Sequence, residues 1–161
     1  MRSLIFGMFA LMLVGCATIQ INQPAKLAFE KSRSYSQSFD KTWERAVDWF
    51  ADHNITIEKI EKPSGLLTAK YYYKADENFL DASNIKVKGV IKDSLVIDRY
   101  GTLNLTVRAI TDNTTKVNVN FFGRYELKAN DQWDGRLITS SGECSSTGKL
   151  EKSILDYIDS K

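Results

Sequence analysis

The sequence predicts an α+β domain: an antiparallel sheet of about five to six strands packed on a C-terminal helix, with one N-terminal helix beside it. Three patterns carry this prediction. Trp43, Ala46, Val47 and Phe50 recur at i, i+3, i+4 and i+7, which is one apolar face of a helix. The period then drops to two, most clearly in Leu103/Leu105/Val107/Ala109 and Val117/Val119/Phe121. Near the end, Leu150, Ile154, Leu155 and Ile158 return to helical spacing. A sheet and helices that each carry one apolar face bury those faces against one another.

The elements follow in order. Ser34-Tyr35-Ser36-Gln37 reads as a short first strand. Ser38 or Asp40 offers a side-chain oxygen to cap the first helix, and that helix stops near His53-Asn54, because Asn tolerates the left-handed end conformation. Ile55 and Ile57, with Lys59, point one way and Thr56 and Glu58 the other. Pro63-Ser64-Gly65 makes a turn, and Leu67, Ala69, Tyr71 and Tyr73 line one face of the returning strand. The stretch from Lys74 to Asp93 reads as a long loop with short strand pieces near Ile85–Ile91. Three strands follow through Leu95–Tyr100, Leu103–Ile110 and Lys116–Leu127, joined by turns at Tyr100-Gly101-Thr102 and Thr111-Asp112-Asn113. Asn130–Gly135 is a further loop, and the last helix starts at Thr147 or Gly148.

Composition narrows the class. Apolar residues make up 43% and charged residues 26% of 161, too apolar for a disordered chain and suited to one domain plus a tail. Net charge is +2, with Arg2 contributing one charge, so no basic field points to nucleic acid. The sequence contains no Gly-rich phosphate loop.

The N-terminus is the most specific segment. Arg2 precedes a short apolar run, Leu4 to Val14, with the layout of a signal peptide. It is well short of the ~20 residues a membrane-spanning helix needs. The run ends in Leu13-Val14-Gly15-Cys16, which resembles the bacterial lipobox. The resemblance implies cleavage between Gly15 and Cys16, an S-diacylglyceryl group on the Cys16 thiol and an acyl group on its amine, with no other cofactor. Two or more acyl chains anchor stably where one does not, each buried methylene adding ~0.8 kcal/mol. Ala17 stands where an Asp would imply retention at the inner membrane, which favours a periplasm-facing position on the outer membrane. The expected organisation is a signal peptide over 1–15, a lipidated tether over 16–32 and a single domain over 33–161.

Two further stretches resemble envelope lipoproteins. Tyr35–Trp43, Ile55–Lys59 and Ser64–Leu67 are similar to the helix-grip repeats of BamC, a lipoprotein of the outer-membrane β-barrel assembly machinery. BamC has two such repeats and this chain has room for one. Glu143-Cys144-Ser145-Ser146-Thr147-Gly148-Lys149-Leu150-Glu151 resembles the start of the last helix in small lipoproteins of this kind. Some of these pair that Cys with one in the mid-chain loop. Here Phe79–Asn84 contains no Cys, so the resemblance implies no disulfide within the chain.

Candidate chemistry is sparse. With Cys16 lipidated, Cys144 is the one free thiol, expected to be buried, with an intermolecular disulfide or a thiol activated at a helix N-terminus as the alternatives. The sole His, His53, reads as a helix-end residue, and one His with one thiol cannot make a structural zinc site. Asp76, Glu77 and Asp81 lack calcium-loop spacing and read as a solvated acidic loop. Lys86, Lys88 and Lys92 read as a solvent face, or as one touching anionic lipid or a partner. The Asn-x-Ser/Thr triplets at Asn54, Asn104 and Asn113 are chance matches in a bacterial protein. Among the aromatics, Trp133 between Asp131 and Asp134, and Tyr72 opposite in facing to Tyr71 and Tyr73, are the candidate interaction surface.

The expected function is a non-enzymatic, outer-membrane-anchored accessory subunit of an envelope assembly, either β-barrel assembly or a secretion-system outer-membrane complex. Its expected partners are the membrane and other envelope proteins. The alternative is a periplasmic carrier of a lipid or other small apolar ligand, which calls for an open pocket lined by Tyr71, Tyr73, Val107 and Phe121.

Overall fold

The computed structural model describes residues 18–21, 28–72, 79–81 and 85–160; the side chains of Ile21, Tyr71 and Tyr72 also lie outside the description. The elements are β1 (Thr18–Ile21), β2 (Ser32–Tyr35), α1 (Phe39–Asp52), β3 (Ile57–Glu61), β4 (Leu66–Tyr72), β5 (Leu80–Asp81), β6 (Ile85–Lys88), β7 (Val96–Thr111), β8 (Thr114–Asn130), β9 (Leu137–Ser146) and α2 (Lys149–Asp159). The architecture is α+β. Seven strands form one antiparallel sheet in the order β3-β4-β7-β8-β9-β5, with β2 on β8, and β1 and β6 form a second, two-stranded sheet.

The hairpin β7–β8 is the spine. Its strands run 16 and 17 residues with continuous pairing from Val96↔Lys128 to Thr111↔Thr114, broken by one bulge after Ala109. Odd-numbered residues face inward: Leu103, Leu105, Val107, Val117, Val119, Tyr125, Leu127 and Ala129 are fully buried. Two short partners share the far edge of β8. β2 takes its first part, Thr115 to Asn118, and β9 its last, Gly123 to Asn130.

Both helices lie on the inner face. Ser38 caps α1 by accepting from the Lys41 amide, and Asn54 holds the left-handed conformation at φ 54° just past its end. Thr42, Trp43, Ala46, Trp49 and Phe50 turn inward from α1; Leu150, Glu151, Ile154, Leu155 and Ile158 do so from α2. The Tyr35 hydroxyl donates to the Leu155 carbonyl at 2.8 Å, and Arg33 bonds Asp156 at 3.0 Å, tying β2 to α2. Ile19, Ile85, Val87, Val90, Leu95 and Ile97 pack against the same core from the small sheet and its surroundings.

The structure departs from the sequence expectations in five places. The sheet has seven strands rather than five to six. The first strand starts at Ser32 and ends at Tyr35. Thr18–Ile21, expected to be tether, is a strand. No turn exists at Tyr100-Gly101-Thr102: β7 runs straight through, and Gly101 serves close packing, because a Cβ there would collide with the Phe121 ring. Finally, Leu137–Ser146 is a ten-residue strand where none was expected. Within the first hairpin, a bulge between Ile57 and Lys59 shifts the alternation. Ile60, rather than Lys59, therefore pairs opposite buried Leu67.

Candidate functional site

Among the described residues no helix lies on the outer face of the main sheet. Both helices pack on the inner side, so the even-numbered side chains of β7 and β8 meet solvent. Most are Thr, Asn, Lys or Arg, but Phe122 stands among them with 59% of its surface exposed. It lies opposite Thr102, which in turn lies opposite Lys70; the next row across the sheet is Tyr72, Tyr100, Arg124 and Glu143. An exposed ring ringed by hydrogen-bonding and cationic side chains has the composition of a recognition patch. The alternation forces this exposure: with Phe121 inward over Gly101, Phe122 has to face out. Sequence reasoning grouped the two rings together, and only the register separates them. Tyr72 falls in register beside this patch, and its side chain is outside the described residues.

Trp133, the other expected surface aromatic, is 65% exposed. It sits in the turn joining β8 to β9, where its amide donates to Asp131 Oδ1 at 2.7 Å and the Asp131 amide donates to the Arg136 carbonyl at 2.9 Å. Gly15, Cys16, Tyr73, Asp76 and Glu77 lie outside the described residues.

Cys144 is buried and free on β9, opposite Gly123 rather than at the helix start. Burial pushes its thiol up to about 11, opposed in part by Arg99, so it stays a protonated thiol at neutral pH. This removes the activation that a helix N-terminus would have supplied. His53 is elsewhere: its ring stacks on Trp49 at 4.5 Å, its Nδ1 lies 2.7 Å from the Trp49 carbonyl, and Tyr157 meets it edge-on. Cys144 and His53 therefore do not form a pair. Among the described residues no group of three or more His, Cys, Asp or Glu side chains is placed to hold a metal ion.

Several buried polar groups carry no mark in the sequence. Glu151 is fully buried and accepts from the Ser146 hydroxyl at 2.8 Å, while Ser146 also receives the Gly148 amide. Burial raises its carboxyl above the ordinary range. The Tyr125 hydroxyl and Arg99 Nε are buried without a hydrogen-bond partner among the described residues. They share one inward row, Arg99 opposite Tyr125. A Glu at helical spacing beside Leu150 reads as solvent-facing, so nothing in the sequence marks Glu151.

A groove of about 460 Å³ opens at the opposite end of the sheet, between the start of α1 and the β3–β4 turn. Phe39, Pro63, Gly65, Val107 and Ala109 line it, with Lys62 and Arg108 at the rim. Of the expected carrier pocket, Val107 reaches this groove, whereas Phe121 fills the space over Gly101; Tyr73 and the Tyr71 side chain lie outside the described residues. Among the described residues no helix is long and apolar enough to cross a membrane. No protein-family model and no curated protein matches the chain.

Proposed function

We propose that the protein is a lipid-anchored lipoprotein of the outer membrane, facing the periplasm, that acts without catalysis as an accessory subunit of an envelope assembly. The lipobox Leu13-Val14-Gly15-Cys16 supports the anchor. The helix-grip-like arrangement, with a sheet gripping α2, supports the comparison with BamC-type domains and therefore with β-barrel assembly or a secretion-system outer-membrane complex. One observation carries the interaction role: Phe122, exposed at the centre of a sheet face on which no described element packs. A side chain of that size left in water on a rigid sheet is a ready anchor for a partner surface.

The test is crosslinking in intact cells from a photoreactive residue at position 122, beside Cys16→Ala. The reading expects a defined envelope protein crosslinked from position 122 and lost when Cys16 cannot be acylated. Absence of any protein crosslink with the lipidated chain at normal abundance overturns it.

The groove under Phe39 and Val107 favours one second reading, carriage of a small apolar ligand, since its volume falls in the range of ligand sites. Organic extraction of the purified full chain followed by mass spectrometry tests this. A stoichiometric lipid would support carriage, and none would remove it.

A further inference from the structure

One end of the molecule gathers four exposed apolar side chains. Ile91 is 44% exposed, Val96 49%, Trp133 65% and Leu137 66%. The strand register brings them together. Val96 lies opposite Lys128 and Leu137 opposite Asn130, while the Ile91 amide donates to the Asn130 carbonyl at 2.8 Å. Trp133 projects from the turn that begins at the next residue. These are four of the seven large apolar side chains most exposed on the described surface, and the β8–β9 turn holds the largest of them in a hydrogen-bonded loop.

The N-terminal strand ends at this same place. β1 runs antiparallel to β6 from Ile21↔Ile85 to Thr18↔Lys88. Lys88 is followed by Gly89, whose carbonyl accepts from the Gln132 amide at 3.1 Å, and Val90 bridges to Asp131. Thr18 is thus delivered to the base of the Trp133 turn. Cys16 precedes it by two residues, a span of at most ~7 Å even when fully extended. The surrounding charge fits an anionic surface. Lys86, Lys88, Lys92 and Lys128 are exposed here, and with Arg136 they outnumber the nearby acids Asp93, Asp131 and Asp134, of which Asp134 pairs with Arg136 and Asp131 accepts from the Trp133 amide.

We propose that this end is the membrane-facing end: Ile91, Val96, Trp133 and Leu137 rest on the phospholipid leaflet that holds the Cys16 acyl chains, with Trp133 in the interfacial layer and the lysines over the headgroups. An indole has an apolar body and a polar N–H, the combination found at the boundary between acyl chains and water. Lysines beside it gain from anionic headgroups. With Cys16 at most ~7 Å of chain from Thr18, acyl chains there keep the patch near the leaflet, so a contact too weak to bind alone is populated by proximity. The proposal rests on the lipoprotein reading of Cys16.

The test reads Trp133 directly. The full chain, expressed with its own leader and purified in detergent, is reconstituted into phosphatidylethanolamine–phosphatidylglycerol vesicles with or without bromine on the acyl chains. The mass of the Cys16 fragment is measured on the same sample. Trp43 and Trp49 are 5% and 1% exposed in the core and are shielded from a contact quencher. The expected result is a loss of tryptophan emission in brominated vesicles that disappears in Trp133→Phe. If Cys16 is acylated but wild type and Trp133→Phe behave alike, the membrane seat is overturned while the anchor stands, and the patch belongs to a protein partner. If Cys16 carries no lipid, the anchor reading fails and this proposal fails with it.

Discussion

Glu151 sits in an environment far from its chemistry in water. The carboxyl is fully buried at the first turn of α2, one oxygen receives the Ser146 hydroxyl, and the other has no hydrogen-bond partner among the described residues. Its folded pKa is raised, so the folded chain binds a proton more tightly than the unfolded chain does. The linkage then has a definite sign: this contribution favours folding below the ordinary glutamate value and is lost as pH rises from there through the folded value. Glu151→Gln keeps the shape and an acceptor but cannot ionise. We expect its thermal midpoint to match or exceed wild type at neutral pH, and its pH dependence between acid and neutral to be flatter. Thermal melts followed by circular dichroism across that range decide it. The buried thiol of Cys144 gives a second readout at this scale. It should resist alkylation at neutral pH in the folded chain and react on addition of denaturant, because both burial and the raised pKa suppress the thiolate.

At the scale of elements, the long hairpin β7–β8 explains which parts of the fold can be read from sequence. The helices are legible because Trp43, Ala46 and Phe50, and later Ile154, Leu155 and Ile158, repeat at a spacing that only a helix brings to one face. Trp49 joins the first set unnoticed, since four apolar contacts already satisfied the pattern. β8 is legible because its inward residues are large. β9 is not: after Ile138 its inward residues are Ser140 and Gly142, because a Cβ at Gly142 would collide with the Tyr125 side chain. The apparent turn at Gly101 has the same origin. Glycine reads as punctuation, but here it answers a steric demand from a neighbouring strand that no local pattern reveals. Gly101→Ala should therefore destabilise by ~1–3 kcal/mol, the usual penalty for overpacking, measured by urea unfolding. A turn glycine with open surroundings would show no such loss. The candidate surface was legible in part for a similar reason. Trp133 stands out beside two aspartates in a loop, whereas Phe122 is told apart from Phe121 only by register.

The described residues present a helical side, a sheet side on which no described helix packs, and two unlike ends. The inner face is filled from both helices and the small sheet, so on the proposed reading the outer face is the surface for a partner. Phe122→Ser removes the ring without touching the core, and its cost to stability should lie within ~0.5 kcal/mol. The same change should abolish co-purification of whatever protein crosslinks from that face. Equal recovery from the variant would move the interface elsewhere. Unaltered melting together with lost capture is the pattern that separates a binding residue from a structural one.

The pairing of β1 with β6 also has a consequence in time. A chain that crosses a membrane from its N-terminus presents Thr18–Ile21 long before Ile85–Lys88 follows. β2 waits longer still, for β8, and non-local pairings of this kind form late. If Cys16 is acylated as proposed, Thr18–Ile21, two residues on, is still without its partner strand when the modification takes place. The pairing of β1 then follows the modification, so the order of synthesis would leave a site at Cys16 accessible before the domain closes over β1.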